Sequence, residues 1–170
     1  MKKVPYLTAI ESLMYLAMTT HPDIAYMACM LVHYGTNPGI AQWSAVKHQY
    51  LKGTTNHSLR YQPDPMSSET FTFSDANHGG CKDSGRSTGG YLIKVGTGAV
   101  CWSSRLQGII ALSSTKVEYS AAVEARKEIH WMQNLMSEMG IKQDEPSILH
   151  IDNQSAIQVT KNPEHHSCIK

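Results

Sequence analysis

One apolar stripe constrains this 170-residue chain more than any other feature. Glu118, Ala122, Ala125, Ile129, Met132, Met136 and Met139 recur at alternating spacings of four and three, the pattern of a helix with one buried face. Ser113 or Ser114 suits its N-cap, and Gly140 its C-terminal stop. The stripe nevertheless starts on a carboxylate. Two other acids share that oddity. Phe71 and Phe73 alternate toward one face of a short strand pattern, and period-two geometry puts Asp75 on the same face. Asp152 closes the apolar run Ile148-Leu149-His150-Ile151. A charge placed on apolar surface costs on the order of several kcal/mol of desolvation unless it is paired or metal-bound.

The remaining composition narrows the class. With 41% hydrophobic residues the chain can bury a core, and a net charge of +1 provides no bulk basic field, so any nucleic-acid surface has to be local. Cys29, Cys81, Cys101 and Cys168 are widely spaced with no C-x-x-C pair, which argues against a zinc knuckle or a dense disulfide framework. No apolar run approaches the roughly 18 residues of a membrane span. The start Met1-Lys2-Lys3-Val4-Pro5 lacks the apolar core of a signal peptide. The expectation is an intracellular protein with no membrane partner.

Along the chain, Leu7, Ile10, Met14 and Ala17, widened by Leu13 and Leu16, predict a first helix. A second is expected from Pro22 to about Tyr34, carrying Ile24, Met27, Leu31 and Tyr34. A third is expected from Asn37-Pro38 through Trp43, Val46 and Tyr50, stopping at Gly53. Polar, turn-rich residues around Pro63-Asp64-Pro65 mark a boundary. The organisation expected is a helical segment over 1–56, a linker over 57–69 and an α/β domain over 70–170. That domain should begin with a strand at about 70–75, followed by a hairpin built on Tyr91, Ile93 and Val95 with a turn at Gly96-Thr97-Gly98. The long helix, a strand over 147–152 and a short helix from Asn153 to about Lys161 complete it, the last strand parallel to the first.

Carboxylates that converge from strand ends and a helix start are suited to Mg²⁺, which takes hard oxygen ligands and needs few of them. Two such ions can activate water and stabilise a leaving oxygen in phosphodiester hydrolysis. A plainer account remains open for each acid taken alone. Asp152 suits the cap of the last helix, Asp75 an Asx-turn, and Glu118 the solvent-exposed first position of a stripe.

Longer motifs bear on that choice. The segment from Pro5-Tyr6 through Ser12-Leu13-Met14-Tyr15-Leu16 to Pro22-Asp23-Ile24-Ala25-Tyr26 resembles a block near the end of the reverse transcriptase in copia-type retrotransposon Pol polyproteins. Ala45-Val46-Lys47-His48 and Tyr50-Leu51-Lys52-Gly53 resemble its next block. Phe73-Ser74-Asp75-Ala76, Arg86-Ser87-Thr88-Gly89-Gly90-Tyr91, Ala111-Leu112-Ser113-Ser114-Thr115 with Glu118-Tyr119, and Ile151-Asp152-Asn153-Gln154-Ser155-Ala156-Ile157 are similar to that family's ribonuclease H motifs, in order.

The resemblance implies a ribonuclease H-like mixed sheet with flanking helices, preceded by a small helical segment from the end of the reverse transcriptase. It implies two-metal hydrolysis of the RNA strand of an RNA–DNA hybrid, with Asp75, Glu118 and Asp152 as metal ligands. Two Mg²⁺ ions are the expected cofactor, with Mn²⁺ as an alternative. Asn153 and Gln154 would contact the substrate's minor groove, and Arg86 with Ser87 a phosphate. The implied partners are the hybrid and the rest of the Pol polyprotein or reverse transcriptase. The implied setting is a cytoplasmic virus-like particle or the nucleus.

This chain departs from the family pattern at several positions. Asn77 stands where the family has Asp, Lys116 where it has Glu, Glu11 where it has Gly and His21 where it has Arg. Two residues fewer between His48 and Tyr50 turn a helix by about 200°. The family's final metal-binding Asp, with the strand and helix around it, has no counterpart up to Lys170. The expectation is therefore weak or lost hydrolysis in this chain. The competing expectation is a non-catalytic, retrotransposon-derived remnant that binds nucleic acid or a protein partner.

Overall fold

A computed structural model describes residues 5–47, 58–62, 70–141, 143 and 145–162. The chain divides into two compact units, Met1–Arg60 and Tyr61–Lys170.

The first unit is helical. It contains α1 (Tyr6–Thr19), a single 3₁₀ turn at Pro22–Ile24, α2 (Ala25–Val32) and α3 (Ile40–Lys47). The second expected helix is thus a 3₁₀ turn followed by a shorter α-helix, and the third starts later than Asn37. The residues expected to extend it, through Tyr50 to Gly53, lie outside the described residues. The buried cluster is Tyr6, Ile10, Leu13, Ala17, Ile24, Ala28, Leu31 and Val46. Leu7 and Met27, expected inside, are 57% and 49% exposed. A tyrosine explains the rotation of α1: Tyr6 Oη donates to the Leu31 carbonyl at 3.0 Å, so the ring can bury with its hydroxyl satisfied. Leucine-weighted periodicity does not anticipate that.

The second unit is a four-stranded mixed sheet in the order β3-β2-β1-β4, with two helices. β1 (Thr70–Asn77) pairs antiparallel with β2 (Thr88–Val95), and β2 pairs antiparallel with β3 (Gly98–Leu106). β4 (Ile148–His150) runs parallel to β1, as its place after a long crossover helix demands. That helix is α4 (Ser114–Glu138), and α5 (Gln154–Lys161) follows β4. Ser113 caps α4, its Oγ accepting from the Lys116 N–H at 3.3 Å, and Gly140 turns the chain away at φ 77°. Among the described residues no helix is long and apolar enough to cross a membrane.

The faces of β1 differ from the expectation. The buried face carries Thr70, Thr72 and Ser74, which lie under α4, and Phe73 on the opposite face is 44% exposed. Phe73 stacks on His150 with ring centroids 4.9 Å apart, and Phe71 stacks on the same ring at 6.4 Å. Side-chain size accounts for the choice. α4 presents Ala121, Ala122 and Ala125 to the sheet, and short hydroxyl side chains let these surfaces approach where phenyl rings would hold them apart. Met139, expected at the end of the buried stripe, is 58% exposed.

Tyr61 and Gln62, expected in a linker, are bound to the β2–β3 turn. Tyr61 Oη donates to the Ala99 carbonyl at 2.7 Å, and the Gln62 N–H donates to Thr97 Oγ1 at 3.0 Å.

Candidate metal centre

Parallel pairing positions two of the carboxylates. Phe71, Thr72 and Phe73 of β1 lie opposite Ile148, Leu149 and His150 of β4. Continuing that register by two residues brings Asp152, just past β4, level with Asp75. Both side chains are solvent-exposed. The third carboxylate, Glu118, comes from the first turns of α4 as the helix crosses β1, and it is 7% exposed. One ligand oxygen from each of Asp75, Glu118 and Asp152 lies within 4.8 Å of the others. Residues far apart in the chain thus meet at the carboxyl ends of adjacent parallel strands, a usual place for sites in α/β folds.

The electrostatics of the trio are unfavourable as it stands. Glu118 Oε1 accepts from the Ala76 N–H at 3.3 Å, and Glu118 Oε2 is buried with no hydrogen-bond partner among the described residues. Burial raises the Glu118 carboxyl above the usual carboxylate range, and the neighbouring charges of Asp75 and Asp152 add to the rise. The Ala76 N–H opposes it. An orphaned buried oxygen beside two like charges is satisfied by a proton or by a cation.

The other expected site residues fall in different settings. Asn153 is the N-cap of α5, its side-chain oxygen accepting from the Ala156 N–H at 3.0 Å, so Asp152 is not that cap. Gln154 is the exposed first residue of α5. Arg86 is exposed in the β1–β2 loop, where its carbonyl accepts from the Cys81 N–H at 3.0 Å. Ser87 is 1% exposed, and its Oγ accepts from the Gly79 N–H at 3.0 Å. It is a buried brace for the loop and presents no hydroxyl at the surface. The Ala76 N–H, which touches two of the carboxylates, has no signature in sequence, because every residue but proline carries the same donor.

Fold and site together define a class: a mixed α/β domain with a three-carboxylate cluster able to take a divalent cation. Sequence comparison gives the family. The chain is 40% identical over its whole length to a retrovirus-related Pol polyprotein from transposon TNT 1-94 of Nicotiana tabacum, of which it covers 13%. It is 34% identical over 97% of its length to the corresponding polyprotein from transposon RE2 of Arabidopsis thaliana, of which it covers 11%. The chain is homologous to part of the retrovirus-related Pol polyproteins of plant transposons and spans about an eighth of the length of such a protein. A third relative is a secreted RxLR effector protein 161 of Plasmopara viticola, 39% identical over 78% of this chain and 94% of that protein. No protein-family profile matches the chain, and no solved structure does.

Proposed function

We propose that the second unit is a copia-type ribonuclease H domain that hydrolyses the RNA strand of an RNA–DNA hybrid using two divalent cations, Mg²⁺ or Mn²⁺. The observation that carries this reading is the meeting of Asp75, Glu118 and Asp152 within 4.8 Å. The donor set suits the cations: all ligands are hard oxygens, the charges repel one another, and Glu118 Oε2 has no hydrogen-bond partner among the described residues. When bound, such ions polarise a phosphoryl oxygen and lower the pKa of water at the site.

The chain's own residues do the holding and aiming. Asp75 and Asp152 offer carboxylates on the solvent side, where a phosphodiester backbone can arrive, and Glu118 closes the buried side. The Ala76 N–H bridges Asp75 and Glu118 and holds the two carboxylates beside each other. Gln154, exposed at the start of α5, would contact a ribose 2′-hydroxyl, which marks the RNA strand. Asn153 retains its amide N–H₂ for the same purpose, while its oxygen caps α5. Arg86, exposed at the surface, would meet a phosphate, whereas Ser87, which is buried, is assigned no substrate contact.

On this reading the first unit is the end of a reverse transcriptase, the remaining partner is the rest of the Pol polyprotein, and the setting is a virus-like particle or the nucleus. With three carboxylates in the group among the described residues, hydrolysis by the 170-residue chain is expected to be slow. Incubation with a labelled RNA–DNA hybrid and Mg²⁺ tests the assignment. Slow cleavage of the RNA strand alone, lost in Asp75→Asn, supports it. Cleavage that persists in Asp75→Asn, or that attacks the DNA strand equally, sinks it.

A second reading has its own observation. The effector relative is covered almost completely by this sequence, so the same stretch also occurs as nearly the whole of a protein named for secretion. A non-catalytic remnant that binds nucleic acid or a protein would bind the hybrid without cutting it and would gain no thermal stability from Mg²⁺.

A further inference from the structure

We infer that Gln107 is a positioning residue for the carboxylate centre, tying the turn of α4 that carries Glu118 to the loop that follows Asp75. The inference rests on reading Asp75, Glu118 and Asp152 as one cation site. Gln107 stands immediately after β3. Its Nε2 donates to the carbonyl of Val117, the residue before Glu118, at 3.0 Å. Its backbone N–H donates to the Ser87 carbonyl at 2.8 Å. Ser87 Oγ in turn accepts from the Gly79 N–H at 3.0 Å, where Gly79 turns the chain out of β1 at φ 62°. Three consecutive hydrogen bonds therefore run from α4, past the ends of β3 and β2, to the turn after β1. The strut ends at Val117, next to Glu118, and at Gly79, in the turn that follows the strand carrying Asp75.

The geometry it braces is weak without help. The hydrogen bond that joins the two carboxylates' own segments is the long 3.3 Å contact from the Ala76 N–H to Glu118 Oε1, and the two charges push apart. The amide that braces it is itself closely fitted. A Cβ added at Gly89 would lie 3.1 Å from Gln107 Nε2 and 3.3 Å from the Ala121 Cβ, so a glycine leaves the room the amide occupies. Gln107 Oε1 is buried with no hydrogen-bond partner among the described residues, and the bond to Val117 is the amide's working contact there. Asparagine is one methylene too short to reach, and glutamate would set oxygen against the Val117 carbonyl oxygen. Supporting groups of this kind, which touch no ligand but orient those that do, change metal affinity strongly when removed.

The test uses the full chain and Gln107→Met, which keeps the length and removes the donor. The first readout is amide hydrogen exchange at Ala76 without metal. Ala76 is expected to exchange about tenfold faster in the variant relative to Ile93, which lies in the centre of the sheet, since opening at the brace is local. An acceleration at Ala76 no greater than at Ile93 overturns the inference, because it would report a general loss of stability. The second readout is Mn²⁺ binding, expected to weaken about tenfold in Gln107→Met. Unchanged affinity also overturns the inference. If the wild-type chain binds no Mn²⁺, the cation-site reading fails, and the Ala76 exchange still decides whether Gln107 positions the two carboxylates. Should Gln107→Met not fold, Gly89→Ala leaves the amide present but crowds it, and both effects are expected in the same direction.

Discussion

Asp75 and Glu118 share one hydrogen-bond donor: the Ala76 N–H lies 2.8 Å from Asp75 Oδ1 and 3.3 Å from Glu118 Oε1. One N–H divided between two carboxylates neutralises neither of them. The remaining demand for positive charge sets how the domain should respond to pH and to cations.

The pH response has a definite sign. The Glu118 carboxyl is raised above its ordinary value of 4.5 by burial, then by Asp75, with Asp152 adding and Ala76 opposing. An acid with a folded pKa above its unfolded one binds its proton more tightly when folded. Its contribution to stability is full below the unfolded pKa and is lost as pH rises through the folded one. The metal-free protein should therefore lose melting temperature from pH 4.5 upward, and Glu118→Gln should flatten that part of the curve. A slope left unchanged by Glu118→Gln would show that the trio is not coupled as described.

Cations should reverse that loss. At neutral pH, Mg²⁺ at a hundred times its dissociation constant is expected to add about 2.7 kcal/mol to stability. Asp152→Asn should remove most of the gain, and a thermal melt with and without Mg²⁺ measures both. An equal gain in wild type and variant would place the ion elsewhere.

Asn153 joins the site to its following helix. Asn153→Ala removes the α5 cap and should cost about 1 kcal/mol in chemical denaturation. Asn153→Asp keeps an accepting oxygen and should retain most of that stability. If the two variants were equally destabilised, the cap bond would not be the cause.

The buried face of β1 gives a test in the opposite direction. Thr72 is fully buried, and its Oγ1 has no hydrogen-bond partner among the described residues. Thr72→Val preserves the shape and removes a stranded hydroxyl, so stability should rise by about 1 kcal/mol. A loss of that size would mean the hydroxyl has a partner.

Gly98 admits the ring of Tyr61, with which a Cβ at that position would collide. Gly98→Ala should destabilise the second unit by about 1–3 kcal/mol through overpacking. Tyr61→Ala in the same background should recover part of that loss, which a double-mutant cycle would detect.

The elements were largely legible because their signals are local. The Glu118-to-Met136 periodicity marks α4, and alternation at Tyr91, Ile93 and Val95 marks β2. The crossover between β1 and β4 implies their parallel pairing. The facing of β1 was not legible. Phe71 and Phe73 outrank Thr72 and Ser74 on any hydrophobicity scale, yet the alanine face of α4 takes the smaller pair and His150 takes the rings. The same holds for Tyr6, whose burial depends on the Leu31 carbonyl 25 residues away.

The sequence by itself determined that three carboxylates would stand at the ends of apolar elements, and the ordered motifs around them tied the chain to retrotransposon Pol polyproteins. Only the tertiary structure decided that these acids meet. Strand register levels Asp152 with Asp75, and the close approach of α4 brings Glu118 beside them. The donor they share, the orphaned Glu118 oxygen and the brace through Gln107 follow from that packing. The physical reason is range. Periodicity and caps act within a few residues, whereas electrostatic coupling and satisfaction of buried polar groups depend on distances that exist only once the chain has folded.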